Sequence, residues 1–380
     1  MTYRRAVLPA VAGAVLLTLS LWWAGASAQA LRLPGAGTML DPQSALQIRL
    51  LLGPWSYDPP SEMLSGAAYG DLYRTAMQIR YVTVFVVFLA GALFLVRRLP
   101  PVRPRTPALL LAVWTWSLVA GTLAALVSAP WLISSRGHGS YRLLPQLASA
   151  IASGQQLTVF AGLLASLGTV LVARTAAKDA EGLDGAEGAE EPPRREVAPR
   201  AARLSASVGT AVVAFSLIVL SYESVAAAIQ TSFYDGGMFS EPGDLLRQWL
   251  LLGFWTSPTS TALTDWLLYR LLDALLLAVV WWSLRLLPGL LTRVTVPAMA
   301  LCGVCATVLG LLASQVAGLP LNSDAAAWGP LYVLGRLGGG VPAAITFGTV
   351  AGVAAVTVLR MADRRETTEA PGPAEGAVEA

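Results

Sequence analysis

Residues 7–24, 77–96, 108–132, 147–173, 205–222, 263–286, 294–319 and 341–359 form eight stretches that are long and apolar enough to span a lipid bilayer. Hydrocarbon offers no water to a backbone N–H or C=O, so each stretch must satisfy its own polar groups as a helix. Membrane strands are excluded because the stretches are too long and lack period-two alternation. The sequence therefore predicts an all-α polytopic membrane bundle. Charge agrees: charged residues make up 13% of the 380, against roughly 25% in soluble domains.

The chain also matches itself. Gly37 to Trp55 aligns without a gap against Gly237 to Trp255, with Pro42, Leu46, Leu50, Leu51, Leu52 and Gly53 recurring as Pro242, Leu246, Leu250, Leu251, Leu252 and Gly253. Two halves follow, residues 1–178 and 203–363, each with four spans. An even number of spans inserts both halves the same way up, as parallel repeats about an axis along the membrane normal. Residues 179–202 between them mix acids, arginines and Pro192-Pro193, a composition too polar to pack. The tail 364–380 is similar.

Orientation follows from basic residues, which favour the cytoplasmic side. Of 26, 17 fall on one side, among them Arg97, Arg98, Arg103, Arg105, Arg285, Arg293 and Arg360. Both termini are then cytoplasmic, and tryptophans such as Trp22, Trp23, Trp55, Trp131, Trp249, Trp255, Trp266 and Trp328 fall at the opposite interface. Lys178 is the single lysine, a bias that points to a GC-rich genome and a bacterial plasma membrane. Ala26-Ser27-Ala28 resembles a signal-peptidase site. Retention of the first span is expected, because the fifth span occupies the equivalent place.

The repeated segment lies on the outer side. Asp41-Pro42 and Glu241-Pro242 carry helix-start signals, with an acid or Ser240 at the cap. Gly53-Pro54 ends the first copy. An apolar helix of about ten residues cannot span, so it lies in the interface or re-enters, either plugging a bundle or gating it.

Charges inside the spans are the candidate site: Asp273 and Arg270, with Arg80 and Arg74 in the first half. Arg270 and Asp273 are three apart and share a helix face. Asp273 lies about 15 Å along its helix from Leu263 and so is expected near the bilayer centre, where a charge costs about 3 kcal/mol unless it faces protein or water. Tyr73-Arg74 aligns with Tyr269-Arg270, and Met77 then takes the place of Asp273. The pair is either a substrate or ion site that breaks the repeat or a structural bridge, extended to Arg80, that locks the halves.

Other motifs point to packing. Cys302-Gly-Val-Cys305 lies in an apolar helix with no second cysteine pair, so it reads as small core residues. Gly348-x-x-x-Gly352 permits close helix approach. His138 is a lone outer-loop histidine. No zinc, phosphate-loop or nucleophile-elbow motif occurs, so no cofactor and no enzymatic activity is expected. The net charge of +3 gives no reason to expect nucleic acid. The expected partners are the bilayer and further membrane or cytoplasmic subunits. The leading function is a transport or export component, a permease or membrane subunit with a site between the repeats. The second is a membrane scaffold, and a lipid-acting enzyme comes last.

Overall fold

Proline and glycine set where the helices begin and break. Proline stands in the first turn of α4 (Thr106–Ser134), α7 (Pro199–Phe215) and α11 (Val296–Gly318), where a missing N–H costs nothing. Gly154 and Gly340 adopt φ of +81° and +83°, and each is followed directly by the last long helix of its half, α6 (Gln155–Leu183) and α12 (Val341–Glu369). The left-handed conformation admits glycine at little cost.

The computed structural model describes residues 3–30, 42–58, 67–99, 105–137, 143–183, 198–231, 239, 241–253, 263–321 and 337–369. Among them nearly all are helical and none is in a strand. The remaining long helices are α1 (Tyr3–Ala30), α3 (Ala67–Arg98) and α10 (Leu263–Leu290). Short helices are α2 (Pro42–Leu52), α5 (Leu143–Ala152), α8 (Glu223–Thr231) and α9 (Gly243–Leu250). Eight candidate spans are long and apolar enough to cross a membrane, so the protein is a multi-pass all-α bundle.

The first four long helices pack in a ring: α1 on α3 and α6, and α4 on α3 and α6. The second four do the same, with α7 on α10 and α12, and α11 on α10 and α12. The rings meet where α4 touches α11 and α12, and where α5 touches α9. At one end the Thr292 amide donates to the Arg98 carbonyl at 3.2 Å. At the other, Gln248 Nε2 donates to the Ala148 carbonyl at 2.7 Å. α3 buries Arg80, Val84, Phe88, Ala92 and Leu95; α10 and the residue after it bury Leu276, Val280, Leu284, Pro288 and Leu291 at the same spacing. The α11–α12 crossing is close, because a side chain on Gly303 would strike the Gly348 carbonyl and the Gly352 backbone.

Three sequence expectations need correction. The span predicted over 147–173 is broken at Ser153–Gly154 into α5 and α6, since a residue at positive φ interrupts the helical ladder. α9 starts after Pro242 with no side-chain cap, so Glu241, itself at φ 58°, does not cap it. Trp55 is 2% exposed and sits in the core, not at the interface, whereas Trp22, Trp23 and Trp131 are exposed. The helices also run further than the apolar stretches: α6 reaches Leu183, α7 begins at Pro199 and α12 reaches Glu369, because charged residues keep helical geometry once they emerge from the membrane. α1 continues unbroken through Ala26-Ser27-Ala28. Asp41, His138, Ser240, Trp255, Trp328 and most of the linker lie outside the described residues.

Candidate functional site

The segment singled out by the self-match, α2 and the turn after it, closes one end of the first ring. α2 passes into a short 3₁₀ turn, Gly53–Trp55, which drops the indole between α1, α3 and α6. Trp55 Nε1 donates to the Gly154 carbonyl at 2.9 Å. Arg80, 2% exposed, donates from Nη1 to the Pro54 carbonyl at 2.6 Å and from Nε to Ser128 Oγ at 3.2 Å. Its guanidinium stands 5.3 Å from the Trp55 ring centre, within cation–π range. The Tyr81 hydroxyl donates to the Trp55 carbonyl, and that of Tyr73 to the Ser56 carbonyl at 2.8 Å. Gly25 admits the segment, because any side chain there would overlap the Trp55 carbonyl. Carbonyls left over by the turn are thereby satisfied inside an apolar bundle, where an unpaired one costs roughly 1–3 kcal/mol.

The second ring holds its copy by other means. Leu276 occupies the place of Arg80 in the matching burial pattern. A π-helical turn, Ser216–Leu220, ends α7, with Ser221 directly after it. The Ser216 hydroxyl donates to the Leu250 carbonyl and accepts from the Leu252 amide at 3.2 Å. Ser221 Oγ accepts from the Gly253 amide at 3.2 Å. Gln315 fastens the turn before α12, donating to the Gly339 carbonyl at 2.8 Å and accepting from the Gly338 amide at 2.9 Å. Wide turns of this kind release backbone groups for side-chain bonds.

The four charged residues singled out from the sequence do not form one site. Arg74 pairs with Asp71 at 3.4 Å on an exposed face. Arg80 meets Pro54, Trp55 and Ser128, all of the first ring, so it does not extend the other pair. Arg270 Nη1 lies 3.0 Å from Asp273 Oδ2, with side chains 29% and 23% exposed, and the Arg270 guanidinium stands 5.9 Å from the Trp266 ring centre. Asp273 continues the stripe of Leu276, Val280 and Leu284, which faces the second ring's interior. The pair lies near the C-terminal end of α11, whose Gly310 and Gly318 pack on Leu276 and Leu272.

A cavity of about 1170 Å³ opens between the rings toward the opposite end. Pro107, Ala108, Leu111, Ala112 and Thr115 of α4 form one wall. α10 from Ala278 to Leu290, with Cys302, Cys305, Ala306 and Leu309 of α11, forms the facing one. It begins about 8 Å along α10 from Asp273, and neither Asp273 nor Arg270 lines it. Both cysteines are free thiols in this wall, and Cys305 Sγ lies 3.5 Å from the Ala112 carbonyl. Sequence reasoning missed the cavity, because its signal is the alignment of small residues on α4 with α10, helices remote in sequence. Trp55 carried a signal, its identity with Trp255, but not the buried position.

These features define a class: a polytopic helical membrane protein with two four-helix rings, one ring sealed at one end, and an inter-ring cavity. Comparison with known protein families, curated proteins and solved structures finds no match to this chain.

Proposed function

We propose that this chain is a non-enzymatic component of a bacterial plasma-membrane transport or export system, a permease or membrane subunit, whose site is the cavity between two duplicated four-helix units. The observation that carries the reading is that both units contribute walls to one cavity, so movement of one against the other would open or close it. Duplication is supported by the matching ring order, the equal burial spacing of α3 and α10, and the positive-φ glycines before α6 and α12. Cytoplasmic termini are supported by Arg98 and Arg105 lying with Thr292 and Arg293 at the cavity end, opposite the exposed Trp22, Trp23 and Trp131. Arg270–Asp273 remains on this reading a coupling element near the outer end of the second unit.

Transport requires at least two arrangements of the units. Spin labels at Arg97→Cys and Arg293→Cys, in a background lacking Cys302 and Cys305, report the cavity end of each. In lipid nanodiscs two populated distances are expected by double electron–electron resonance. One narrow distance at this end would sink the transport reading. It would favour the second reading, a scaffold organising partner subunits, which the Trp55 seal of the first ring supports.

A further inference from the structure

We infer that the inter-ring cavity is a binding site for an anionic phospholipid, its acyl chains lying along the apolar walls and its headgroup held by Arg285. The inference rests on the cavity being the functional site only in naming its occupant, and it holds equally for a lipid-bound scaffold.

Size comes first. At about 1170 Å³ the cavity is larger than the roughly 300–1,000 Å³ of ordinary small-molecule sites. Its walls are mainly apolar, with Leu111, Ala112, Leu287 and Leu309 among them. Two of the polar groups there are spent locally: the Thr115 hydroxyl donates to the Leu111 carbonyl at 2.9 Å, and the Cys305 thiol donates to the Ala112 carbonyl. Water in such a space finds few partners. Two residues of the α10 wall, Trp282 and Leu286, are also 58% and 47% exposed, so the cavity opens sideways at the level of a membrane span. The neighbouring medium there is acyl chain.

Charge then selects the lipid. Arg285 is the charged residue of the lining. Its guanidinium stands 5.2 Å from the Trp281 ring centre and 5.9 Å from that of Trp282, and among the described residues no carboxylate pairs with it. Trp281 and Trp282 thus hold a cation at the interfacial end of an apolar slot, where a phosphate would replace the missing acid. The Arg98–Thr292 hydrogen bond brings two further basic residues, Arg98 and Arg293, to the same end. Basic pockets between spans at a cytoplasmic surface attract anionic headgroups, at about five-fold in affinity per cation. A free phosphate would leave the apolar volume unfilled, and a neutral hydrophobe would leave Arg285 unpaired.

The test uses the full chain, stripped in detergent and re-equilibrated with equal phosphatidylglycerol and phosphatidylcholine, and native mass spectrometry as the readout. Wild type should retain phosphatidylglycerol over phosphatidylcholine by about five-fold or more. Arg285→Gln should lower that ratio about five-fold while lipid is still retained. Ala112→Trp, which fills the cavity from α4, should retain about one lipid fewer, whatever the headgroup; Ala278→Trp does the same from α10 if the first variant elutes misfolded. Equal retention by wild type and the folded tryptophan variant overturns the site, and an unchanged headgroup ratio in Arg285→Gln overturns the headgroup assignment. The spin-label distances are read separately. Lipid retained at one fixed distance defeats transport and leaves this inference standing, whereas two distances with no retained lipid do the reverse.

Discussion

Trp55 shows how one side chain can close a bundle. Its indole fills one end of the first ring, with the indole N–H bonded to the turn before α6 and the carbonyl to Tyr81 of α3. Trp55→Ala should cost about 3–5 kcal/mol, the range for emptying a large core site. Trp55→Phe keeps most of the ring but removes the indole donor to the Gly154 carbonyl, which still accepts from Thr158 Oγ1 at 3.2 Å, costing about 0.5–1.5 kcal/mol. Thermal unfolding in detergent should therefore rank wild type above Phe above Ala; equal midpoints for Phe and Ala would mean that the seal is polar only. Sequence comparison picked out Trp55 by its recurrence as Trp255, and Arg80 by its charge. It did not pair them, because their meeting depends on a 3₁₀ turn that lowers Pro54 onto α3. For Asp273 the reverse holds: spacing alone predicted its bond to Arg270, since three residues on a helix return to the same face.

Among the elements, the α11–α12 pair depends most on small residues. Gly303, Gly348 and Gly352 bring the two backbones into contact, so Gly303→Val would drive its side chain into the Gly348 carbonyl. The expected result is loss of the folded, monodisperse protein, read by size-exclusion fluorescence of a fusion; Gly289→Ala, at a position with open space around it, should behave as wild type. The glycine spacing on α12 was legible in advance, as was the burial of Cys302 and Cys305. The break between α5 and α6 was not legible. Residues 147–173 are apolar throughout, and hydropathy is blind to the left-handed Gly154 that separates a short outer helix from a spanning one.

For the whole molecule, topology gives a direct check. Both units begin and end at the basic side, so a reporter fused at Gly182, at the end of α6, should read cytoplasmic; a periplasmic signal there would reverse the orientation and place the Arg285 end outside. The two units share ring order but differ in how they hold the outer segment: a buried arginine with a tryptophan in one, serines on a π-turn in the other. These contacts seal one end of the first ring, and the cavity lies where the two rings meet. The sequence by itself determined the eight candidate spans and the all-α class, because hydrocarbon leaves each backbone group only local hydrogen-bond partners. Tertiary structure alone decided that Trp55 is buried, that Arg80 and Asp273 serve different rings, and that a cavity lies between α4 and α10. Each of those facts rests on residues far apart in the chain, and their packing follows from shape complementarity that no local pattern of hydropathy records.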